Sequence, residues 1–242
     1  MSEFKLPTET IELPSKGLLY AEDSELAKGT VEIKYMTAKE EDILTNQSYI
    51  KNGTVLDKLM KSVIVTKINY DDLLIGDKNA IMVASRVLGY GGKYTFEYGG
   101  EEQEIDLALV ENKEINKDLF KNRVNEFEFT LPFSKNHLTF KLLSHKDESN
   151  ISRELEGLKK INKDNSPELS TRLKYMITSI EGKRDTKDIR NFVENYLLAK
   201  DSRALREYIK EIQPDVDLTF FPDGGSNRVS IPIGISFFWP DV

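Results

Sequence analysis

The spacing of apolar residues switches between a period of two and a helical period four times along this chain. That succession restricts it to folds that combine small antiparallel sheets with packed helices. The first stretch is extended: Ile11-Glu12-Leu13-Pro14 alternates and stops at a proline, Ser15-Lys16-Gly17 supplies a turn, and Thr30 to Tyr35 alternates β-branched or aromatic residues with charges. The period changes at Met36. Thr37 reads as an N-cap with Glu40 three residues on, a capping box ahead of Ile43 and Leu44. Asn52-Gly53-Thr54 restarts the chain, and Val55, Leu59 and Val63 share one face of a further helix. An acidic connector from Tyr70 to Leu74 leads to another, with Asp77 as its cap, Lys78 to Leu88 as its body and Gly89, Gly91 and Gly92 as its end.

Period two then returns. Lys93 to Tyr98 and Glu101 to Leu109 flank Gly99-Gly100, a hairpin turn, and Asn125 to Leu131 and Leu138 to Leu143 flank Pro132 to His137. From Asp147 four amphipathic helices follow. Ile151, Leu155 and Leu158 mark the first. Ser166 and Pro167 start the second, with Leu169, Leu173, Met176, Ile177 and Ile180 on one face. Thr186 caps the third, which carries Ile189, Phe192, Val193, Tyr196 and Leu197, and Asp201 caps the fourth, which carries Leu205, Tyr208, Ile209 and Ile212. Val216 to Phe221 and Arg228 to Ile235 flank a last hairpin turn at Pro222-Asp223-Gly224-Gly225. The predicted fold class is therefore α+β: β-rich segments with two or three hairpins around a four-helix block, plus N-terminal helices. Its regions are an N-terminal α+β region with β-hairpins (1–146), a helical subdomain (147–212) and a C-terminal β-hairpin returning to the N-terminal region (213–242).

Composition narrows the function. Acids outnumber Lys and Arg by 41 to 34, leaving a net charge of −7, which repels a phosphate backbone and argues against nucleic-acid binding. Absence of cysteine excludes disulfides, thiol catalysis and thiolate zinc sites. Met1 to Leu13 is polar, contains Pro7 and has no apolar h-region, and the apolar runs fall short of the ~20 residues of a membrane span, so the expectation is a soluble chain without a signal peptide.

Chemistry is sparse. His137 and His145 flank a strand with no orienting acid at a motif spacing, and no nucleophile elbow, phosphate loop, dinucleotide fingerprint or zinc helix occurs. Asp71-Asp72 and Glu101-Glu102 read as solvated surface pairs. Phe96-x-x-Gly99-Gly100 and Phe221-x-x-Gly224-Gly225 echo the position of a zinc-ribbon knuckle without its sulfurs, and ordinary glycine hairpins are the favoured reading. No catalytic, cofactor-binding or metal-ligating residue is assigned, and the chain is expected not to be an enzyme. The partner-binding candidates are Phe237, Phe238 and Trp239, bulky aromatics where a chain end is usually polar, together with Tyr35 and Met36 at the strand-to-helix junction. Docking of the aromatic end as a last strand on its own core is the competing reading, and the favoured one.

Ile11 to Gly17, Lys34 to Asn46, Asn52 to Gly76, Ile231-Pro232-Ile233 and Phe238-Trp239-Pro240 together resemble the baseplate hub assembly proteins of T-even-type contractile-tailed bacteriophages. Relatives carry Cys-x-x-Cys knuckles where this chain has its Phe-x-x-Gly-Gly turns, so a metal role is not carried over. The resemblance implies a chaperone-like assembly factor for the baseplate hub in phage tail morphogenesis, without a cofactor. Its partners would be other baseplate hub or tail proteins, with neither nucleic acid nor membrane. It would act in the host cell cytoplasm, with the virion baseplate as the other location. The alternatives are a structural baseplate component of the virion and a chaperone of the tail tape-measure protein.

Overall fold

The structure, a computed structural model, describes residues 6–120, 122–161, 167–222 and 228–238. Mixed α+β architecture is what the succession of periods produces. Among the described residues there are eight α-helices and four small antiparallel sheets, three of two strands and one of three.

Strands β1 (Thr8–Glu12) and β2 (Thr30–Lys34) pair antiparallel, Thr8 opposite Lys34 and Glu12 opposite Thr30. Val31 and Ile33 face the core, as the alternation requires. Helix α1 (Ala38–Thr45) starts at Thr37, and the Glu40 carboxylate reaches back to the Thr37 amide (2.9 Å) and hydroxyl (2.7 Å). Helices α2 (Gln47–Lys51) and α3 (Val55–Val63) follow, and α3 buries Val55, Leu59, Met60 and Val63 on one stripe.

Helix α4 (Ile75–Tyr90) starts earlier than its sequence suggests, and Asp77 is not its cap. Asp77 sits inside the first turn, fully buried. Its carboxylate accepts from the Ser15 amide (2.9 Å), the Ser15 hydroxyl (2.7 Å) and the Tyr20 hydroxyl (2.5 Å). A carboxylate capable of capping has been taken for a tertiary bond instead. The Tyr20 hydroxyl in turn accepts from the Leu74 amide (2.9 Å), so the turn after β1 is pinned to the start of α4. Gly76 packs against residue 214: a Cβ there would lie 1.9 Å from the Pro214 carbonyl oxygen.

Strands β3 (Lys93–Tyr98) and β4 (Glu101–Asp106) form the hairpin across Gly99-Gly100, both glycines at positive φ. Strands β5 (Phe127–Thr130) and β6 (His137–Phe140) form the second hairpin.

The region 147–212 carries four helices, as expected, with a strand inserted after the second. Helix α5 runs His145–Ile161 and α6 Glu168–Met176, but Ile177–Ile180 is strand β7, which pairs with β6 and completes a sheet of order β5-β6-β7. Ile177 and Ile180 therefore bury themselves from a strand, and Leu169, assigned to the same helical face, is exposed. The β-branched run Ile177-Thr178 loses rotamer freedom in a helix and suits a pleated edge, and the open side of β6 decides between them. Helix α7 (Thr186–Asn195) is capped by Asp185 rather than Thr186, through the Lys187 amide (2.7 Å). Tyr196, assigned to its buried face, is exposed. Helix α8 (Ala199–Ile212) begins before Asp201, which lies buried in its first turn and accepts from the amides of Phe133 (2.8 Å) and Ser134 (3.0 Å) in the β5–β6 turn.

Beyond α8 the chain runs back to the N-terminal half. Asn79 donates to Asp215 (3.0 Å), the Lys113 amide to the Asp215 carbonyl (2.8 Å), and the Asp217 amide to the Glu111 carbonyl (2.8 Å). The last hairpin is short, β8 (Thr219–Phe220) against β9 (Val229–Ser230), and its turn, with both glycines of the second Phe-x-x-Gly-Gly, lies outside the described residues. Phe220 stands edge-on to Phe96 (4.9 Å) and Tyr98 (5.4 Å) of the first hairpin. One contiguous apolar cluster includes Leu13, Leu59, Ile81, Phe140, Leu205 and Phe238, so it spans all of these regions. No helix among the described residues is long and apolar enough to cross a membrane.

Candidate functional site

Helix α4 presents Ala80, Val83, Ala84 and Val87 at helical spacing, and two of those four are too small to fill the space above them. They form the floor of an open groove of about 380 Å³. Strand β1, with Thr10 and Ile11, makes one wall. The segment from Leu107 to Val110 makes the other, held there because the Leu107 amide donates to the Gly92 carbonyl (2.7 Å) and Asp106 caps the turn at Ala108 (2.9 Å). Asn112 and Val216, joined by a bridge between their segments, line it as well. The lining is mostly apolar. Among the described residues its charged members are Glu9 and Glu12, both exposed, and no lysine or arginine lines it.

The apolar surface continues past the groove. Val110 is shared with a neighbouring concavity of about 320 Å³ that also takes in Leu109 and Phe221, exposed by 77% and 50%. Two large side chains left in water beside an apolar channel are unlike singly scattered surface residues.

Both sides of the groove are rigidly held. On the β1 side the three hydrogen bonds to Asp77 fix the turn at Ser15, and burial pushes the Asp77 carboxyl up from its ordinary value while the hydroxyls of Tyr20 and Ser15 pull it down. On the far side Arg86, itself buried, donates from Nε to the Phe237 carbonyl (2.8 Å), from Nη1 to the Gly91 carbonyl (2.8 Å) and from Nη2 to the Lys93 carbonyl (3.0 Å). One guanidinium thus joins the end of α4, the first hairpin and the C-terminal segment.

The structure disperses the residues picked from sequence. Phe237 and Phe238 are 0% and 1% exposed, buried in the core of this chain as the favoured reading expects. They lie on a 3-10 turn (Ile235–Phe238), not a last strand, with Phe237 edge-on to Tyr94 at 5.0 Å and to Phe238 at 5.4 Å. Trp239 lies outside the described residues. Tyr35 is half-buried with its hydroxyl 3.3 Å from Glu9 Oε1. Met36 packs over Gly89, where a Cβ would meet its Cε at 2.1 Å. The groove residues Thr10, Val83, Val87 and Val110 were missed, since only the alternation around Ile11 and the near-encircling apolar pattern of α4 hinted at them.

A second concavity, of about 470 Å³, gathers Lys58, Lys61, Lys146 and Arg153 beside Asp57 and His145. His145 is buried against the Tyr70 ring (4.5 Å), its Nδ1 lies 3.7 Å from Asp57 Oδ1, and burial lowers its pKa. Among the described residues no three histidine, aspartate or glutamate side chains come together as a metal site. No protein-family model matches this chain, and neither a curated protein nor a solved structure is significantly similar to it.

Proposed function

We propose that this chain is a non-enzymatic, chaperone-like assembly factor that binds a protein of the baseplate hub during phage tail morphogenesis. The observation that supports a binding role is the groove over α4: an apolar floor between an exposed strand edge and a fixed wall, continued by Leu109 and Phe221. Its size suits a short segment of a partner better than the broad hydrophobic face of a permanent subunit. The hub assignment comes from the likeness carried by Ile11 to Gly17, Lys34 to Asn46 and Asn52 to Gly76. These segments supply the end of β1, the turn pinned by Asp77 and helices α1 and α3, part of one wall of the groove and its support.

Deleting the gene from its phage is expected to stop hub assembly. Quantitative mass spectrometry of purified wild-type particles is expected to find the protein absent or substoichiometric. A fixed copy number per particle would make it a structural baseplate component instead. Co-purification with the tape-measure protein alone would assign it to that partner, and normal infectivity after deletion would remove it from tail assembly altogether.

A further inference from the structure

The backbone of β1 limits what the groove can hold. In an antiparallel pair, residues that exchange hydrogen bonds with the partner alternate with residues whose N–H and C=O point away. The Tyr35 amide donates to the Pro7 carbonyl (3.2 Å) and the Leu13 amide to the Gly29 carbonyl (2.8 Å), on either side of the Thr8–Lys34 to Glu12–Thr30 register. These fix the phase: Glu9 and Ile11 bond to β2, while Thr8, Thr10 and Glu12 turn their backbone groups outward. Asn112 Nδ2 reaches the Glu12 carbonyl at 3.5 Å, and among the described residues nothing occupies the N–H and C=O of Thr10. The far side of β2 is already taken, because Ile64 bridges to Ile33 and the Val65 amide donates to the Glu32 carbonyl (2.9 Å). This sheet can grow only on the groove side.

We infer that the groove takes an extended segment of a partner protein, added to β1 as a third strand. Alternate apolar side chains of that segment enter the channel over Ala80, Val83, Ala84 and Val87, and its N–H and C=O groups pair with Thr10. Lysine or arginine at its flanks meets Glu9 and Glu12, the acidic rim of a lining that has no cation among the described residues. A second copy of this chain fits less well, since edge-to-edge docking would bring two such acidic rims together. The inference rests on the protein-binding reading above and names the chemistry its partner must carry.

The probe is a labelled synthetic heptapeptide of alternating valine and threonine with lysine at both ends, titrated into the full chain and followed by anisotropy and amide exchange. Binding is expected to saturate and to slow exchange at the Thr10 amide. Thr10→Pro removes an N–H that faces the groove and leaves the bonds to β2 in place, so it is expected to weaken binding roughly tenfold or more with little change in melting. The same peptide N-methylated at the amides that would face β1 tests the pairing without altering the protein, and is expected to lose affinity equally. A glutamate-flanked peptide is expected to bind more weakly. Absence of saturable binding, unchanged affinity of the N-methylated peptide, or protection away from β1 would overturn strand addition. So would a wild-type dimer that Thr10→Pro converts to monomer, which would give the edge to a second copy. Capture of a hub protein from infected cells by wild type and Thr10→Pro alike would also overturn it while leaving the proposed function standing. Peptide binding at β1 with no hub protein captured would retain strand addition and sink the proposed function.

Discussion

Glu40 has no exposed surface, yet it is charged: Lys34 Nζ lies 2.8 Å from Oε1, the Ser62 hydroxyl 2.6 Å from the same oxygen, and the Thr37 amide and hydroxyl bond to Oε2. Burial alone would raise its pKa, and these donors outweigh it, holding the carboxyl at about 2 against an ordinary 4.5. A depressed folded-state value means stability that is present above the unfolded pKa and lost as the pH falls through the folded one. Glu40→Gln is therefore expected to cost about 3 kcal/mol at neutral pH. In urea melts the gap from wild type should close as the pH falls from 4.5 to about 2; a gap that persists at the acid end would refute the assignment. Asp77→Ala leaves the Ser15 amide and the Tyr20 hydroxyl buried without their acceptor, at an expected roughly 2–5 kcal/mol in the same melts. The two acids contrast in legibility. Glu40 was readable as part of a capping box because Thr37 is three residues away, whereas Asp77 was misread because Ser15 and Tyr20 are separated from it by 62 and 57 positions.

Elements with a strong, uncontested period were readable from the sequence, and those whose residues satisfied two periods were not. Phe127 and Phe129 alternate and belong to β5; Leu205, Ile209 and Ile212 keep helical spacing and are buried along α8. The stretch from Leu169 to Ile180 fits a helix by spacing and a strand by composition, and the choice falls to a neighbour distant in sequence: Ile180 pairs with Leu138, and Ile177 with Phe140. The sheet that results is tied across its outer face by Thr139, Thr178 and Ser179, with Glu126 bonded to Arg184 through both oxygens (2.7 and 3.0 Å). Ending α6 at Met176 leaves Leu169 and Leu173 with different fates. Leu173→Ala is expected to cost about 2–5 kcal/mol and Leu169→Ala less than about 0.5, by chemical denaturation; equal losses would mean that the helix is rotated from its described face. Asp201 makes a further test. Asp201→Ala is expected to speed amide exchange at Phe133 and Ser134 well before α8 itself opens, because the carboxylate holds that turn from outside it.

Across the whole molecule, the α+β class followed from local periods, but the arrangement of the pieces did not. The groove joins residues 9–12, 80–88, 107–112 and 216, four segments whose meeting is set by the Asp77 cluster, the Arg86 guanidinium and the bonds at Asp215. None of these bonds has a sequence signature. The contiguous core implies that the hairpins, the helices and the C-terminal segment melt together. Phe237→Ala is expected to lower stability by about 3–5 kcal/mol in a single transition seen alike by far-ultraviolet dichroism and aromatic fluorescence; two separated transitions would show that the core is divided. The Arg86–Phe237 bond also sets an order of events during synthesis, since its two residues are 151 positions apart. A chain emerging from the ribosome has β3, β4 and α4 in hand long before Phe220, Phe237 and Phe238, so the first half waits with an unfilled seat in its core until the last aromatics have been translated. Through that interval its apolar face stands open to the cell, and the time the ribosome takes over the roughly 130 codons that separate β4 from Phe237 governs how long the growing chain is in need of protection.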